Sequence, residues 1–230
     1  DRDTRARQEI LLGIGGVRAL RALGLAPSVF HVNEGHSAFL ILERLHNLMT
    51  DHGLTLAEAK ELVWSTTVFT THTPVPAGNE RFRPELLEPY LARKAADLGM
   101  SWSDFLSLGR EDLYDESFSM TALALRYAAF ANGVSRLHGQ VTRKMFRSMF
   151  PGIPEAEVPI RHVTNGVHTK TWLNPRLCHL LQRYSDAEPS NLDEAIWRNV
   201  QIVPDDELWE LHEFNRQKLV EFVRRRVSWQ

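Results

Sequence analysis

Apolar residues recur at helical spacing from residue 4 to residue 24, where Gly24 gives a stop and Pro27 begins a new element. The next run, SVFHV at 28–32, is short and reads as a buried strand. Helical spacing returns over 37–51. Thr55 then N-caps a further helix, LAEAKELVWST, with Glu58 three residues on completing a capping box. TTVFTT at 66–71 is β-branched and aromatic, a strand. Strand, helix, helix, strand is the order of an α/β domain with a parallel sheet. Residues 84–98 read as helix, 102–118 as a connector with short helices, and SMTALALRYAAFA at 119–131 as a buried helix broken by NGVS. LHGQVTRKMFRSMF is helical again, PGIPEAEVP is a Pro-rich loop, IRHVT at 160–164 is strand-like, and only helices follow Trp172. The chain is helix-rich, without internal repeats or low-complexity segments.

Three of the apolar β runs end abruptly in hydrogen-bonding residues: His31-Val32-Asn33-Glu34-Gly35-His36, Thr70-Thr71-His72-Thr73 and His162-Val163-Thr164-Asn165-Gly166. In open parallel sheets ligands bind outside the carboxyl ends of the strands, where loops carry polar groups and glycine lets backbone come close. Asn132-Gly133-Val134-Ser135-Arg136 offers similar groups at what reads as a helix break.

Composition narrows the function. With 230 residues, 43% of them hydrophobic, the chain can build a core. A formal net charge of -2 and a pI near 6.6 argue against nucleic acid or an anionic membrane surface as partner. The single Cys178 makes no internal disulfide, no apolar stretch is long enough to span a bilayer, and a reducing cytoplasm is the simplest compartment. No His-Glu-x-x-His frame or paired thiol suggests a metal, so none is expected. Gly13-Ile14-Gly15-Gly16 fails the dinucleotide fingerprint, since Arg18 takes the third glycine position, and reads as close helix packing. His31, His138 and His162 read as core residues, and Arg224, Arg225 and Arg226 as a solvated helix face. Both ends look like cuts: the chain opens in a charged run without Met, and helical spacing over 207–227 meets no stop.

NEGHSAF (33–39), FTTHTPVPAGNERF (69–82), NGVSRLHG (132–139) and TNGVHTKTWL (164–173) resemble, in order and rough spacing, the signature segments of α-glucan phosphorylases. The opening RQEILLGIGGVRALRALG is similar to the shorter bacterial branch of that family. Several members carry Asn-Asp-Thr-His-Pro where this chain has Asn33-Glu34-Gly35-His36-Ser37, and they differ around Pro76-Ala77-Gly78. The resemblance implies an internal fragment of a two-domain, Rossmann-like glycosyltransferase. Residues 1–164 would belong to the N-terminal glucan-binding domain and 165–230 to the first helices of the C-terminal cofactor domain. It implies retaining phosphorolysis of terminal α-1,4-linked glucose from glycogen or maltodextrin to glucose 1-phosphate, with glucan and inorganic phosphate as partners and homodimerisation as a family expectation.

The resemblance also assigns residues. His72 and Asn165 would hold the 6-hydroxyl of the glucose at the cleavage point from two sides, Val134 would line the floor, and Glu34, His36 and Glu80 would edge the sugar pocket. Trp172 would pack near pyridoxal phosphate, the family's cofactor, with Lys170 close by. The cofactor's Schiff-base lysine and the phosphate clamp lie downstream in family members. Lys60, Lys94, Lys144 and Lys218 sit in amphipathic helical runs here, so this piece is expected to be inactive alone. If the ends are cuts, the 119–131 helix should also leave apolar surface exposed. Two other functions remain open: a nucleotide-sugar-dependent glucan synthase of the same architecture, and a non-catalytic carbohydrate-binding remnant.

Overall fold

The computed structural model describes residues 1–75, 78–112, 114–184 and 200–227, without the side chains of Thr169 and Lys170. Two compact units divide them, Asp1–Asn165 and Gly166–Gln230. The first is α/β. Its sheet has four strands, β1 (Phe30–Asn33), β2 (Thr67–Thr71), β5 (Phe130–Gly133) and β6 (Ile160–His162), all parallel and in the order β1-β2-β5-β6. A small antiparallel pair, β3 (Arg81–Phe82) with β4 (Phe118–Ser119), stands apart.

The first helix explains where the glycines go. α1 (Arg2–Ile10) passes through a π-helical stretch, Leu11–Gly15, into α2 (Gly16–Ala22). A Cβ on Gly13 would stand 2.7 Å from Leu40 N and 2.9 Å from Ser37 O, so glycine there lets the helix lie directly on the start of α3 (Leu40–His52). Nothing lies within 4 Å of the corresponding position on Gly16, which carries no packing role.

α4 (Leu56–Ser65) begins in the capping box expected of Thr55 and Glu58, with the Thr55 side chain accepting from Glu58 N at 3.3 Å. α5 (Pro84–Asp97) starts on proline at its first turn, where the missing N–H costs nothing. α6 (Trp102–Ser107) follows inside the connector. Phe39, Phe105 and Phe118 meet at the heart of the core, with ring centroids 5.9 Å and 5.8 Å apart along the chain of contacts.

The expected helix over 119–131 is half helix and half strand. α7 (Met120–Arg126) is capped by Ser119, whose side chain accepts from Ala122 N, and it stops when the Arg126 guanidinium donates to the carbonyls of Ser107, Leu108 and Arg110. Phe130 and Ala131 then pair with Val68 and Phe69 of β2. An alanine-rich run favours helix locally, but the sheet supplies a parallel ladder that the helix cannot. Residues 120–125 of α7 are all buried, and the apolar exposure expected of 119–131 falls on Phe130, which is 60% exposed. α8 (Arg136–Met145) completes this unit, N-capped by Ser135.

The second unit holds α9 (Thr169–Trp172), α10 (Pro175–Arg183) and α11 (Asp205–Val227) around a small cluster of Leu180, Leu181 and Val203. α11 has no buried residue and exposes Trp209, Leu219, Phe222 and Val223. Among the described residues no helix is long and apolar enough to cross a membrane.

Two buried charged side chains of α3 are paired across elements. Arg44 is buried on α3, donates to Thr67 Oγ1 at 2.7 Å and lies 4.0 Å over the Phe30 ring, tying the helix to the starts of β1 and β2. Burial lowers its pKa to about 10. Glu43, one residue earlier and also buried, takes Lys94 Nζ at 2.7 Å and Arg18 Nε at 2.7 Å. Its burial acts upward on the carboxyl, but the bonds and charges of Arg18 and Lys94 prevail and hold it below the ordinary carboxylate range. Glu43→Ala strands a buried lysine and should cost about 3–5 kcal/mol in denaturant unfolding, with Lys94→Met in the same chain restoring most of it. The wild-type contribution is complete above the ordinary carboxylate pKa and should fade as acid takes the pH down through the lowered one, a slope the double variant lacks.

Candidate functional site

Parallel pairing places the carboxyl ends of all four strands on one side of the sheet, and the polar segments follow directly. Glu34 comes after β1, His72 after β2, Val134 after β5 and Asn165 shortly beyond β6. The ladder continues past the last strand residues: Glu34 N donates to Thr70 O at 2.8 Å, Val163 N to Gly133 O at 3.0 Å and Asn165 N to Val134 O at 3.2 Å. Along the sheet edge the order is therefore Glu34, His72, Val134, Asn165. His72 and Asn165 stand on either side of the β5 end, a span of about 10 Å at two strand spacings.

Val134 is fixed from below. His138, on the first turn of α8 and buried, accepts the Val134 N–H on Nδ1 at 3.2 Å. Gly133 makes room, since a Cβ there would lie 2.8 Å from that same nitrogen. The segment expected to be a helix break is the carboxyl end of a strand. Of the three histidines expected in the core only His138 is buried; His31 and His162 are exposed. His31 instead ends a polar rung across three strands, with His31 Nε2 2.8 Å from Thr70 Oγ1, which donates to Asn132 Oδ1 at 2.9 Å.

His36 and Glu80 join a different group. Arg5 on α1 donates to Glu80 Oε1 at 2.9 Å and to His36 Nδ1 at 2.7 Å, and its Nε stands 3.1 Å from Glu9 Oε1. Glu9 is 1% exposed, and neither of its oxygens has a partner in hydrogen-bonding geometry. Burial raises its pKa to about 8, helped by the charge of Glu80 and opposed by Arg5. Glu9, His36 and Glu80 bring one ligand atom each within 4.8 Å of one another, but the guanidinium already supplies the cation they share. Arg5 and Glu9 escaped the sequence reading as members of a charged opening run. Their spacing of four residues, with Glu9 on the stripe of Ala6 and Gly13, was the available signal.

Trp172 and Lys170 lie on α9 in the second unit, Trp172 exposed and the Lys170 side chain outside the described residues. Pro76 and Ala77 are likewise outside them. A cavity of about 960 Å³ opens beside Trp64 and Tyr127, which precede β2 and β5, and is lined by none of the candidate residues.

The first unit is thus an α/β unit with polar groups gathered at the carboxyl edge of a parallel sheet. The model of the carbohydrate phosphorylase family matches residues 25–228, and the chain belongs to that family. It is 43% identical over 228 residues to a maltodextrin phosphorylase of Thermococcus litoralis, covering 98% of this chain and 27% of that protein. A glycogen phosphorylase of Mycobacterium tuberculosis is 43% identical over 242 residues, covering 100% and 28%, and one of Aquifex aeolicus is 35% identical over 231 residues, covering 99% and 33%. The chain thus spans a third or less of the length of these curated relatives.

Glu9 carries a pH signature. Its carboxyl holds a proton more tightly in the folded chain than in the unfolded one, so its contribution to stability is complete below about 4.5 and is lost as pH rises to about 8. Arg5, His36 and Glu80 face it, and burial, more than the charges of Glu80 and Arg5, sets the shift. Glu9→Gln should match wild type in thermal unfolding near pH 4.5 and exceed it increasingly toward pH 8. A constant difference across that window would remove Glu9 from this environment.

Proposed function

We propose that this chain forms the sugar-gripping wall of an α-glucan phosphorylase, which transfers the terminal α-1,4-linked glucose of glycogen or a maltodextrin to inorganic phosphate with retention. The observation that carries this reading is the row of Glu34, His72, Val134 and Asn165 at the carboxyl edge of one sheet, from four segments far apart in sequence. In the reaction the bond from C1 to the glucan oxygen breaks, a phosphate oxygen bonds to C1, and a proton passes to the departing 4-oxygen. The developing charge on the sugar ring makes orientation the task of the surrounding wall.

Within it, His72 and Asn165 hold the 6-hydroxyl from opposite sides of the β5 end, and Val134 supports the ring between them. Imidazole and carboxamide each offer a donor and an acceptor, which a hydroxyl needs. Glu34 closes the row on one side, and His36 and Glu80, held by Arg5, form the rim. Residues 1–164 belong to the glucan-binding domain, and 165–230 begin the domain that carries the cofactor.

Pyridoxal phosphate, in this reading, supplies through its phosphate the acid–base partner of the attacking phosphate. The described residues alone make no site for it. Lys94 is buried in its pair with Glu43, Lys218 pairs with Glu221, and Trp172 is exposed on α9. The Schiff-base lysine and phosphate clamp are assigned to sequence beyond this chain, so this chain alone should release no glucose 1-phosphate. The whole enzyme would work in a reducing cytoplasm, where the single cysteine stays a thiol. The family match favours this reading over a nucleotide-sugar-dependent synthase.

In the full-length enzyme His72→Ala and Asn165→Ala should mainly lower kcat, by roughly 10²- to 10³-fold, as removal of a preorganised transition-state contact does. A maltodextrin ending in 6-deoxyglucose lacks the gripped hydroxyl and should erase most of the difference between variant and wild type. A full defect on the deoxy substrate would take the 6-hydroxyl away from these residues.

A further inference from the structure

We propose that Glu34 is a positioning residue: it turns away from the sugar to clamp the end of β2, fixing the backbone on which His72 is mounted. The proposal rests on the reading of His72 as a sugar contact and adds how that side chain is held. Among the described residues Glu34 is the one non-glycine with positive φ, at φ 61 and ψ 176. That backbone conformation is essentially reserved for glycine, and other residues keep it only where their surroundings enforce it.

Two constraints force the turn. Glu34 N is tied to Thr70 O at 2.8 Å, at the last rung of the β1–β2 ladder. The next residue, Gly35, is buried so tightly that a Cβ would stand 2.9 Å from Met120 Cβ. Between these fixed points the chain must change direction at Glu34 itself.

The result of the turn is where the carboxylate goes. It accepts the backbone N–H of His72, stands 3.5 Å from Thr71 Oγ1 through each oxygen, and accepts from Thr73 Oγ1 at 3.3 Å. His72 Nδ1 is 3.5 Å from Oε1. One carboxylate thus collects three consecutive residues just where β2 ends, and its side chain is only 13% exposed. Among the described residues no lysine or arginine pairs with it, so its partners are the groups of the segment it holds. Strain at a residue whose side chain organises a neighbouring functional segment is the pattern of preorganisation, and a displacement of about 1 Å in such a segment can cost 10²-fold in rate.

Glu34→Gly separates this role from a structural one, because glycine relieves the strained backbone while deleting the clamp. In the full-length protein, amide hydrogen exchange of the peptide containing Thr71 to Thr73 should accelerate at least tenfold. The melting temperature should hold or rise, and phosphorolysis of maltodextrin should lose at least tenfold in kcat with little change in KM. Glu34→Gln keeps an acceptor oxygen at the same reach, and should retain most of the protection and most of kcat. A lower melting temperature with unchanged exchange in Glu34→Gly would overturn the clamp and leave a merely structural residue. If that variant does not fold, unchanged exchange in Glu34→Ala, which has no acceptor for the His72 N–H, overturns it equally. Faster exchange with undiminished turnover would overturn the service to the reaction, while the reading of His72 as a sugar contact is decided separately by the 6-deoxyglucose substrate.

Discussion

The parallel ladder does not stop where the strands do, and the candidate site hangs from the hydrogen bonds that carry it further. Glu34 N to Thr70 O continues β1 along β2, and Val163 N to Gly133 O and Asn165 N to Val134 O continue β6 along β5. In a parallel pair every bond is slanted and evenly spaced, so a single added rung fixes both direction and register. Asn165 is brought beside Val134 by backbone alone, whatever its side chain does. A row of strand-end residues contributed by positions 34, 72, 134 and 165 follows from that one constraint.

Below the ladder, charge is handled by pairing elements with one another. Glu43 joins α2, α3 and α5 through Arg18 and Lys94, and Arg44 joins α3 to the starts of two strands. Arg5 brings α1 to His36, in the turn that follows β1, and to Glu80, in the segment after β2. Losing Glu43 is costly, because Lys94 then remains buried without its partner. The long first helix is thereby held by Arg5 and Glu9 near its start and by the close approach of Gly13 to α3 at its middle.

Much of this was readable from local pattern where local and tertiary preference agree. The capping box at Thr55, the strands ending at Asn33 and Thr71, and proline opening α5 each satisfy a rule that operates within a few residues. The helix expected through 119–131 failed because helix propensity in Ala-rich sequence is local, whereas pairing of Phe130 with Val68 joins residues some sixty positions apart. At the candidate site, the strand-end segments were legible as polar interruptions of β runs, whereas Glu34, His72 and Asn165 were singled out within them by the family resemblance alone. Arg5 and Glu9 did not stand out, since an i,i+4 pair of charges is ordinarily solvated, and only the place of Glu9 on the stripe of Ala6 and Gly13 set it apart. The inward turn of Glu34 was equally hidden, as a positive φ on a glutamate follows from fixed points on both sides of it.

The order β1-β2-β5-β6 has one more implication, which concerns the borders of the sheet. Among the described residues β1 and β6 each pair on one flank alone, leaving main-chain donors and acceptors on the other. Such flanks are templates for a further strand, and side-chain chemistry discriminates poorly against the wrong one. A chain expressed with these flanks uncovered would be drawn to associate backbone to backbone, and replacing apolar surface residues would do little to prevent it. Covering β1 or β6 with one short strand, ended by lysine or proline, is the route by which this fold would be kept in solution as single molecules.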